Sequence, residues 1–217
     1  MKDLNELEQA LKNITIVGGC VNFREIGKAL LCDCVIVKGR TEYRIREIEF
    51  YLFRPDYQDY VAYPRTCNAG DWFFHNSGVD IAFQSKSSTP KADPKTDCFG
   101  GVLIRTVECI KGKNEKRLFD GPIKVVNELF DQFSAIEPSR DAPRLEFRMN
   151  CFPDEDRIPE SRYNIPALSE LDQRFIKRFV GNYEPDISKV QEECRYYSVD
   201  GACRAASGSS YRKLLIS

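Results

Sequence analysis

The stretch Arg44-Ile45-Arg46-Glu47-Ile48-Glu49-Phe50-Tyr51-Leu52-Phe53 has the period of two that is typical of a β-strand. One face carries three apolar side chains: Ile48, Phe50 and Leu52. The opposite face carries two carboxylates and a phenol: Glu47, Glu49 and Tyr51. Unpaired carboxylates are costly to bury, so an isolated Glu-x-Glu pattern favours a strand with one solvated face. The alternative is a strand that lines a cleft.

The segments on either side of this strand predict an α+β fold. Residues 34–37 form another strand pattern, and the Lys38-Gly39 turn would join it to residues 43–53 in a β-hairpin. Further strand patterns cover residues 71–75, 79–83, 99–107 and 144–150. Helical patterns cover residues 4–14, 22–31 and 168–179, and one more begins at Pro122. We expect a single domain, residues 1–217, with a curved, mostly antiparallel sheet flanked by helices.

Composition and charge limit the class of protein. The chain has 217 residues and 42% hydrophobic content, which is enough for one sizeable core. Its 32 basic and 33 acidic residues argue against a nonspecific nucleic-acid coat but allow one basic face. Nine cysteines behind a polar N-terminus predict free thiols in a reducing cytoplasm. No apolar run reaches membrane-spanning length, so we expect no membrane partner.

Aromatic and polar residues follow the glutamate strand. The loop at residues 54–70 contains Tyr57, Tyr60 and Tyr63, which either line a wall for a base or sugar or pack on one another. His75 is the single histidine of the chain and, beside aromatic residues, is more typical of a packed side chain than of a metal ligand. Asp80 interrupts an apolar strand, so it is either exposed at a strand end or retained for a function.

The best basic cluster of the chain comprises Lys111, Lys113, Lys116 and Arg117. It is either a solvated turn or a phosphate contact. Lys124, in the first turn of the helix at Pro122, could also receive a phosphate.

The sequence lacks the motifs of several common enzyme and cofactor-binding classes. The chain has no P-loop and no dinucleotide fingerprint, and one histidine is too few for most zinc sites. No elbow motif supports a Ser-His-Asp or Cys-His arrangement. Carboxylate chemistry without a metal or another cofactor remains.

Five motifs occur in a recognisable order: Arg46-Glu47-Ile48-Glu49-Phe50-Tyr51, Gly70-Asp71-Trp72-Phe73-Phe74-His75, Gly78-Val79-Asp80-Ile81, Gly101-Val102-Leu103-Ile104-Arg105-Thr106-Val107-Glu108 and Leu118-Phe119-Asp120-Gly121-Pro122-Ile123-Lys124. This order resembles the alkyladenine (3-methyladenine) DNA glycosylase family over roughly residues 20–130. Each motif alone is weak, and the specificity of the match comes from their order and comparable spacing.

The resemblance implies a monofunctional DNA N-glycosylase that flips a base and hydrolyses its glycosidic bond. Glu49 would activate the water, Asp80 would be a second carboxylate near it, and Arg105 would lie beside that water. The base pocket would comprise Tyr51, Tyr60, Phe73 and His75. The DNA backbone would contact the basic residues Lys111, Lys113, Lys116, Arg117 and Lys124.

The departures from the family concern base recognition. A pocket histidine of the family is absent, with Tyr60 closest to its place, and the tyrosine that wedges into the duplex has no clear counterpart. We therefore expect a bulky modified base of foreign, for example phage, DNA rather than an alkylated purine, and a role in antiviral defence or repair. The partner would be duplex or single-stranded DNA, bound by a monomer. The alternatives are a non-catalytic nucleic-acid-binding module and a hydrolase of free nucleosides or nucleotides.

Overall fold

A computed structural model describes residues 1–14, 16–17, 20–131, 141–153, 158–160, 177–181, 183 and 196–198, with the backbone alone at 16–17, 20–21, 158–160 and 196–198. The helices are α1 (Leu4–Lys12), α2 (Phe23–Lys28), which continues as a π-helical turn (Ala29–Asp33), and α3 (Pro122–Leu129). The strands are β1 (Ile16–Val17), β2 (Cys20–Val21), β3 (Cys34–Lys38), β4 (Thr41–Arg54), β5 (Tyr57–Gln58), β6 (Trp72–His75), β7 (Gly78–Ala82), β8 (Phe99–Lys111), β9 (Leu118–Asp120), β10 (Arg144–Phe147), β11 (Ile158–Glu160) and β12 (Tyr196–Ser198).

The glutamate strand, β4, is the centre of a curled antiparallel sheet. The main path of the sheet runs β10-β3-β4-β8-β7-β6, and β5 and β12 also pair with β4. The two central strands are long, with 14 residues in β4 and 13 in β8. This arrangement confirms the α+β class and the antiparallel sheet with flanking helices.

Both faces of β4 are covered. On one face the alternating apolar residues join the main core, where Phe23 of α2 stacks on Phe50 with ring centroids 4.4 Å apart. On the other face Phe53 packs with Phe99 and Phe179 in a second apolar cluster. Glu47 and Glu49 lie on this second face and are only 0% and 3% exposed. The expectation of a solvated polar face is therefore wrong for these two residues.

Three irregularities interrupt the β4–β8 ladder, one between Glu42 and Tyr43 and two beside Glu47. Ile45 pairs with Val107, whereas Glu47 pairs with Thr106, so Arg46 is an extra residue on β4. The next pair joins Ile48 to Ile104, so Arg105 is an extra residue on β8. A bulge bends its strand and redirects a side chain, so these irregularities change where the two arginines point. They also let Ile45 and Ile48 enter the same core, although a regular strand would place them on opposite faces.

Other predicted elements are partly confirmed. The predicted helix at residues 22–31 is shorter as an α-helix and ends in the π-helical turn. The predicted strand at residues 144–150 is confirmed only as β10, which pairs with β3 at an end of the main path. Residues 168–176 of the predicted helix at 168–179 lie outside the described residues. Among the described helices, none combines the length and apolarity needed to cross a membrane.

Asp97 organises the polar loop between β7 and β8. Its Oδ2 accepts hydrogen bonds from the backbone N–H groups of Ser88 and Asp93, each at 2.7 Å, and Oδ1 accepts from the Ser88 hydroxyl at 2.9 Å. Burial alone would raise the pKa of Asp97, but these hydrogen bonds outweigh it and hold the pKa below its usual value.

The variant Asp97→Asn should lose about 1–3 kcal/mol of unfolding free energy at neutral pH, because it replaces a charged hydrogen-bond acceptor. The folded-state pKa is lowered, so the contribution is complete above the unfolded value of about 3.9 and is lost as pH falls through the folded value. Urea unfolding should therefore show the difference between wild type and variant shrinking below about pH 4. A difference that stays constant into acid would contradict this role for the carboxylate.

Candidate functional site

A row of side chains crosses four strands on the second face of the sheet. Glu49 of β4 and Asp80 of β7 both pair with Leu103 of β8, one from each side, and Phe73 of β6 pairs with Asp80. Paired residues point to the same face, so the two carboxylates share one surface with Leu103 between them. Two strand spacings put the backbones of Glu49 and Asp80 about 10 Å apart.

Glu49 is held through one of its two oxygens. Its Oε2 accepts a hydrogen bond from the Tyr51 hydroxyl at 2.8 Å and lies 3.0 Å from Nη1 of Arg105. Within the described part of the chain, no donor is hydrogen-bonded to Oε1. The Glu49 side chain keeps 5% of its surface exposed. The carboxylate is thus fixed in position while one oxygen remains available for a small molecule such as water.

Arg105 lies between Glu49 and the fully buried Glu47. Its Nε is 3.7 Å from Glu47 Oε1, which is an ionic contact rather than a hydrogen bond. Glu47 Oε2 instead accepts a hydrogen bond from the Thr106 hydroxyl at 2.5 Å. Burial would lower the pKa of Arg105, but the charges of Glu49 and Glu47 outweigh it and raise that pKa. Arg105 therefore stays a cation at every pH at which the protein is folded.

The variant Arg105→Met should lose about 3–5 kcal/mol of unfolding free energy, because it leaves two buried carboxylates without their cation. Adding Glu47→Gln and Glu49→Gln to the same chain should recover most of that loss. Urea unfolding at neutral pH measures both effects.

Lys111→Met is the matched control. Lys111 forms an ion pair with Glu42 on the same two strands, but its side chain is 67% exposed. Its replacement should cost about 0–1 kcal/mol. Equal losses for the two variants would show that Arg105 does not compensate buried charge.

Asp80, in contrast, has both oxygens occupied. Oδ2 lies 2.5 Å from Nη1 of Arg65, and Oδ1 lies 2.9 Å from Nε2 of His75. Asp80 is 1% exposed, and the Arg65 side chain is also 1% exposed. Gly101 makes room for this pair, since a Cβ there would lie 3.1 Å from Nη1 of Arg65. Of the two alternatives for Asp80, exposure at a strand end is therefore excluded.

His75 is fixed at both ring nitrogens. The backbone N–H of Ser77 donates to Nδ1 at 3.2 Å, so Nδ1 is the acceptor nitrogen and Nε2 carries the hydrogen that Asp80 accepts. Neither nitrogen is left for a metal or for proton transfer. The described residues hold no group of three histidine, cysteine, aspartate or glutamate side chains that could bind a metal ion.

Nitrogen-15 NMR of histidine-labelled protein should show one imidazole in the Nε2–H tautomer, because the chain has one histidine. In Asp80→Asn, the Nε2–H loses its charged acceptor, so the nitrogen signals should move toward those of a free histidine in tautomeric exchange. A wild-type spectrum with the hydrogen on Nδ1 would contradict the described hydrogen bonds.

A stack of flat side chains surrounds His75. The Tyr63 ring stacks on the imidazole with centroids 4.9 Å apart, and the Phe73 ring lies 6.1 Å away at an angle of 27°. An arginine also lies over each of the two rings that flank His75. Arg65 Cζ is 3.8 Å from the Phe73 centroid, and Arg178 Cζ is 4.2 Å from the Tyr63 centroid. The sequence had placed Tyr63 in an aromatic loop but gave no signal for Arg65 or Arg178.

The remaining predicted site residues lie in different surroundings. Tyr60 is buried in the second apolar cluster, against which Tyr51 also packs, so it is on the same face but inside the core. Lys113, Lys116 and Arg117 are exposed in the β8–β9 connection. Lys116 and Arg117 are hydrogen-bonded through their backbones to Cys109, which is four residues, or about 14 Å, along β8 from Arg105. The structure does not bring these cations next to Glu49.

Lys124 is nearer to the site than the β8–β9 turn. It is exposed in the first turn of α3. Gly121, directly before this helix, donates its backbone N–H to the carbonyl of Arg105 at 2.9 Å. The helix start therefore lies beside the strand residue that holds Glu49.

Comparison with known proteins gives one relative of unknown role. The chain is similar to an uncharacterized protein, L759, of Acanthamoeba polyphaga mimivirus, with 28% identity over 127 residues. The match covers 51% of this chain and 57% of that protein, so it spans little more than half of the relative's length. No protein-family model matches the chain. No solved structure matches it.

Proposed function

We propose that this protein is a DNA glycosylase in which Glu49 activates a water molecule against the anomeric carbon of a flipped nucleotide. The proposal depends on the contacts of the Glu49 carboxylate. Tyr51 and Arg105 both contact Oε2, and no described donor contacts Oε1. A carboxylate fixed in this way can accept a proton from a water bound at its other oxygen.

The reaction is a hydrolysis. The water oxygen forms a bond to the anomeric carbon while the bond from that carbon to the base nitrogen breaks, and the electron pair leaves with the base. Glu49 takes one proton of the water, the departing base takes a proton from solvent, and Glu49 then returns its proton to solvent. Because the transition state resembles an oxocarbenium ion, the negative charge of Glu49 also stabilises it.

The surroundings of Asp80 assign it a supporting role in this proposal. Both of its oxygens are occupied by Arg65 and His75, so it has no oxygen left to hold the attacking water. Asp80 instead positions the imidazole as a rigid wall of the base pocket, with Phe73 beside it. Glu49 therefore carries the chemistry alone, and Asp80 is a positioning residue.

The order of motifs supports the same assignment at the level of the fold. We propose that the curled antiparallel sheet is of the alkyladenine DNA glycosylase type, with the catalytic glutamate on its central strand and the pocket strand at its edge. The start of α3 beside Arg105 would receive a DNA phosphate through Lys124 and the adjacent backbone N–H groups. The distant cations of the β8–β9 turn would contact the duplex farther along.

Wild-type protein should release one free base from a panel of methylated, deaminated and hypermodified phage DNAs, detected by mass spectrometry. Glu49→Gln should slow that release by about 10²–10⁴, because general-base catalysis contributes that much. DNA binding of this variant should stay close to wild type, since glutamine has the same shape, whereas its melting temperature should fall, because the buried Arg105 loses one of its two carboxylates.

Glu42→Gln is the matched control for this experiment. Glu42 lies on the same strand and, like Glu49, has two side-chain contacts, here the cations Lys111 and Arg148 at 2.7 and 2.6 Å. Its replacement should leave the rate of base release unchanged. Equal release by wild type and Glu49→Gln would refute the catalytic role of Glu49. Salt-dependent binding of every DNA without release would favour a non-catalytic module, and hydrolysis of nucleosides alone would identify the other alternative.

A further inference from the structure

The stack at His75 contains one ring that is held differently from its neighbours. Asp80 and Ser77 hold the imidazole through hydrogen bonds at both nitrogens, and Arg65 holds Asp80. The Tyr63 ring, in contrast, is half-buried and comes from a loop. Among the described residues, no hydrogen bond is made by its hydroxyl. Its ring contacts two flat groups, the His75 imidazole and the Arg178 guanidinium.

We propose that the place of the Tyr63 ring, between His75 and Arg178, is a binding slot for an uncharged planar base. Tyr63 fills the slot in the unliganded protein and leaves when a base enters. Contacts through ring faces suit any flat aromatic group, so a base can replace the tyrosine ring without loss of a hydrogen bond. This inference rests on the proposed glycosylase function and specifies its substrate class.

The walls of the slot are fixed in place. On one side the imidazole cannot rotate, because both of its nitrogens are hydrogen-bonded. On the other side the backbone of Arg178 is anchored: its carbonyl accepts from the Ala92 N–H at 2.8 Å, and the next residue, Phe179, is 0% exposed in the second apolar cluster. A ring that replaces Tyr63 therefore meets the same imidazole, and the anchored backbone keeps Arg178 next to it.

The charge of Arg178 sets the specificity. A guanidinium is charged at every working pH and is attracted to the electron-rich face of a neutral ring. It repels a ring that itself carries positive charge. Bases that become cationic through alkylation of a ring nitrogen are therefore disfavoured, and neutral modified bases are preferred. This agrees with the expectation that the substrate is not an alkylated purine.

The test uses His75 as the probe, because it is the single histidine of the chain. Protein labelled with carbon-13 at the histidine ring is titrated with two isomeric nucleosides. N6-methyladenosine is neutral, whereas 1-methyladenosine carries a positive charge at neutral pH. In Tyr63→Ala, the imidazole signal should shift through loss of the tyrosine ring current, whereas Tyr63→Phe should retain the wild-type signal. Tyr63→Ala should then bind N6-methyladenosine several-fold more tightly than Tyr63→Phe does.

The charge preference is tested in the Tyr63→Ala background. N6-methyladenosine should bind about tenfold more tightly than 1-methyladenosine, and this ratio should fall toward one when Arg178→Met is added. Arg178→Lys should retain the preference, since it keeps the charge. Weaker binding to Tyr63→Ala than to Tyr63→Phe, no response of His75 to either nucleoside, or a ratio unchanged by Arg178→Met would each overturn the proposal.

These experiments distinguish failure of the binding slot from failure of the proposed glycosylase function. Binding at His75 does not require Glu49 or any bond cleavage, so it is measured equally well in Glu49→Gln. Slot binding without base release from any DNA would support this inference and refute the glycosylase. Base release together with an unresponsive His75 signal would support the glycosylase and refute the slot.

Discussion

The contact between the Arg105 guanidinium and two buried glutamates is the interaction on which the centre of the sheet depends. Glu47 and Glu49 lie inside the protein, where an uncompensated carboxylate costs several kcal/mol, of the order of the total stability of a small domain. The bulge that makes Arg105 an extra residue on β8 supplies the cation at that place. In a regular ladder Arg105 would lie directly opposite Glu47, whereas with the bulge Thr106 takes that position and Arg105 contacts both carboxylates.

One face of β4 is divided between core and site. Near its end, Phe53 joins an apolar cluster, whereas two and four residues earlier the same face carries Tyr51 and Glu49. Tyr51 bridges the two environments, because its ring packs against the apolar cluster and its hydroxyl donates to Glu49. The carboxylate is therefore supported from the core side by a rigid phenol and from the neighbouring strand by a rigid guanidinium.

The sequence predicted the elements well and their register poorly. The period of two identified the apolar face of β4, and the turn residues identified the hairpin partner. It could not predict the bulges at Arg46 and Arg105, because a bulge arises from the pairing of two strands distant in sequence. For the same reason the ion pair between Arg65 and Asp80 could not be predicted. A lone arginine in a loop gives no local sign that it neutralises a carboxylate fifteen residues later. Tyr60 was assigned to the pocket from its neighbours, whereas the structure places it in the core.

The two arginine–carboxylate pairs on this face have opposite consequences for chemistry. At Asp80 the cation and the imidazole occupy both oxygens, which fixes geometry and removes reactivity. At Glu49 both contacts fall on one oxygen, which fixes geometry and leaves reactivity. Leu103 separates them, so each carboxylate is compensated by its own cation and not by a shared proton. A single row of the sheet thus provides one reactive carboxylate and one rigid wall. The difference depends on the second contact, which falls on the other oxygen at Asp80, from His75, and on the same oxygen at Glu49, from Tyr51.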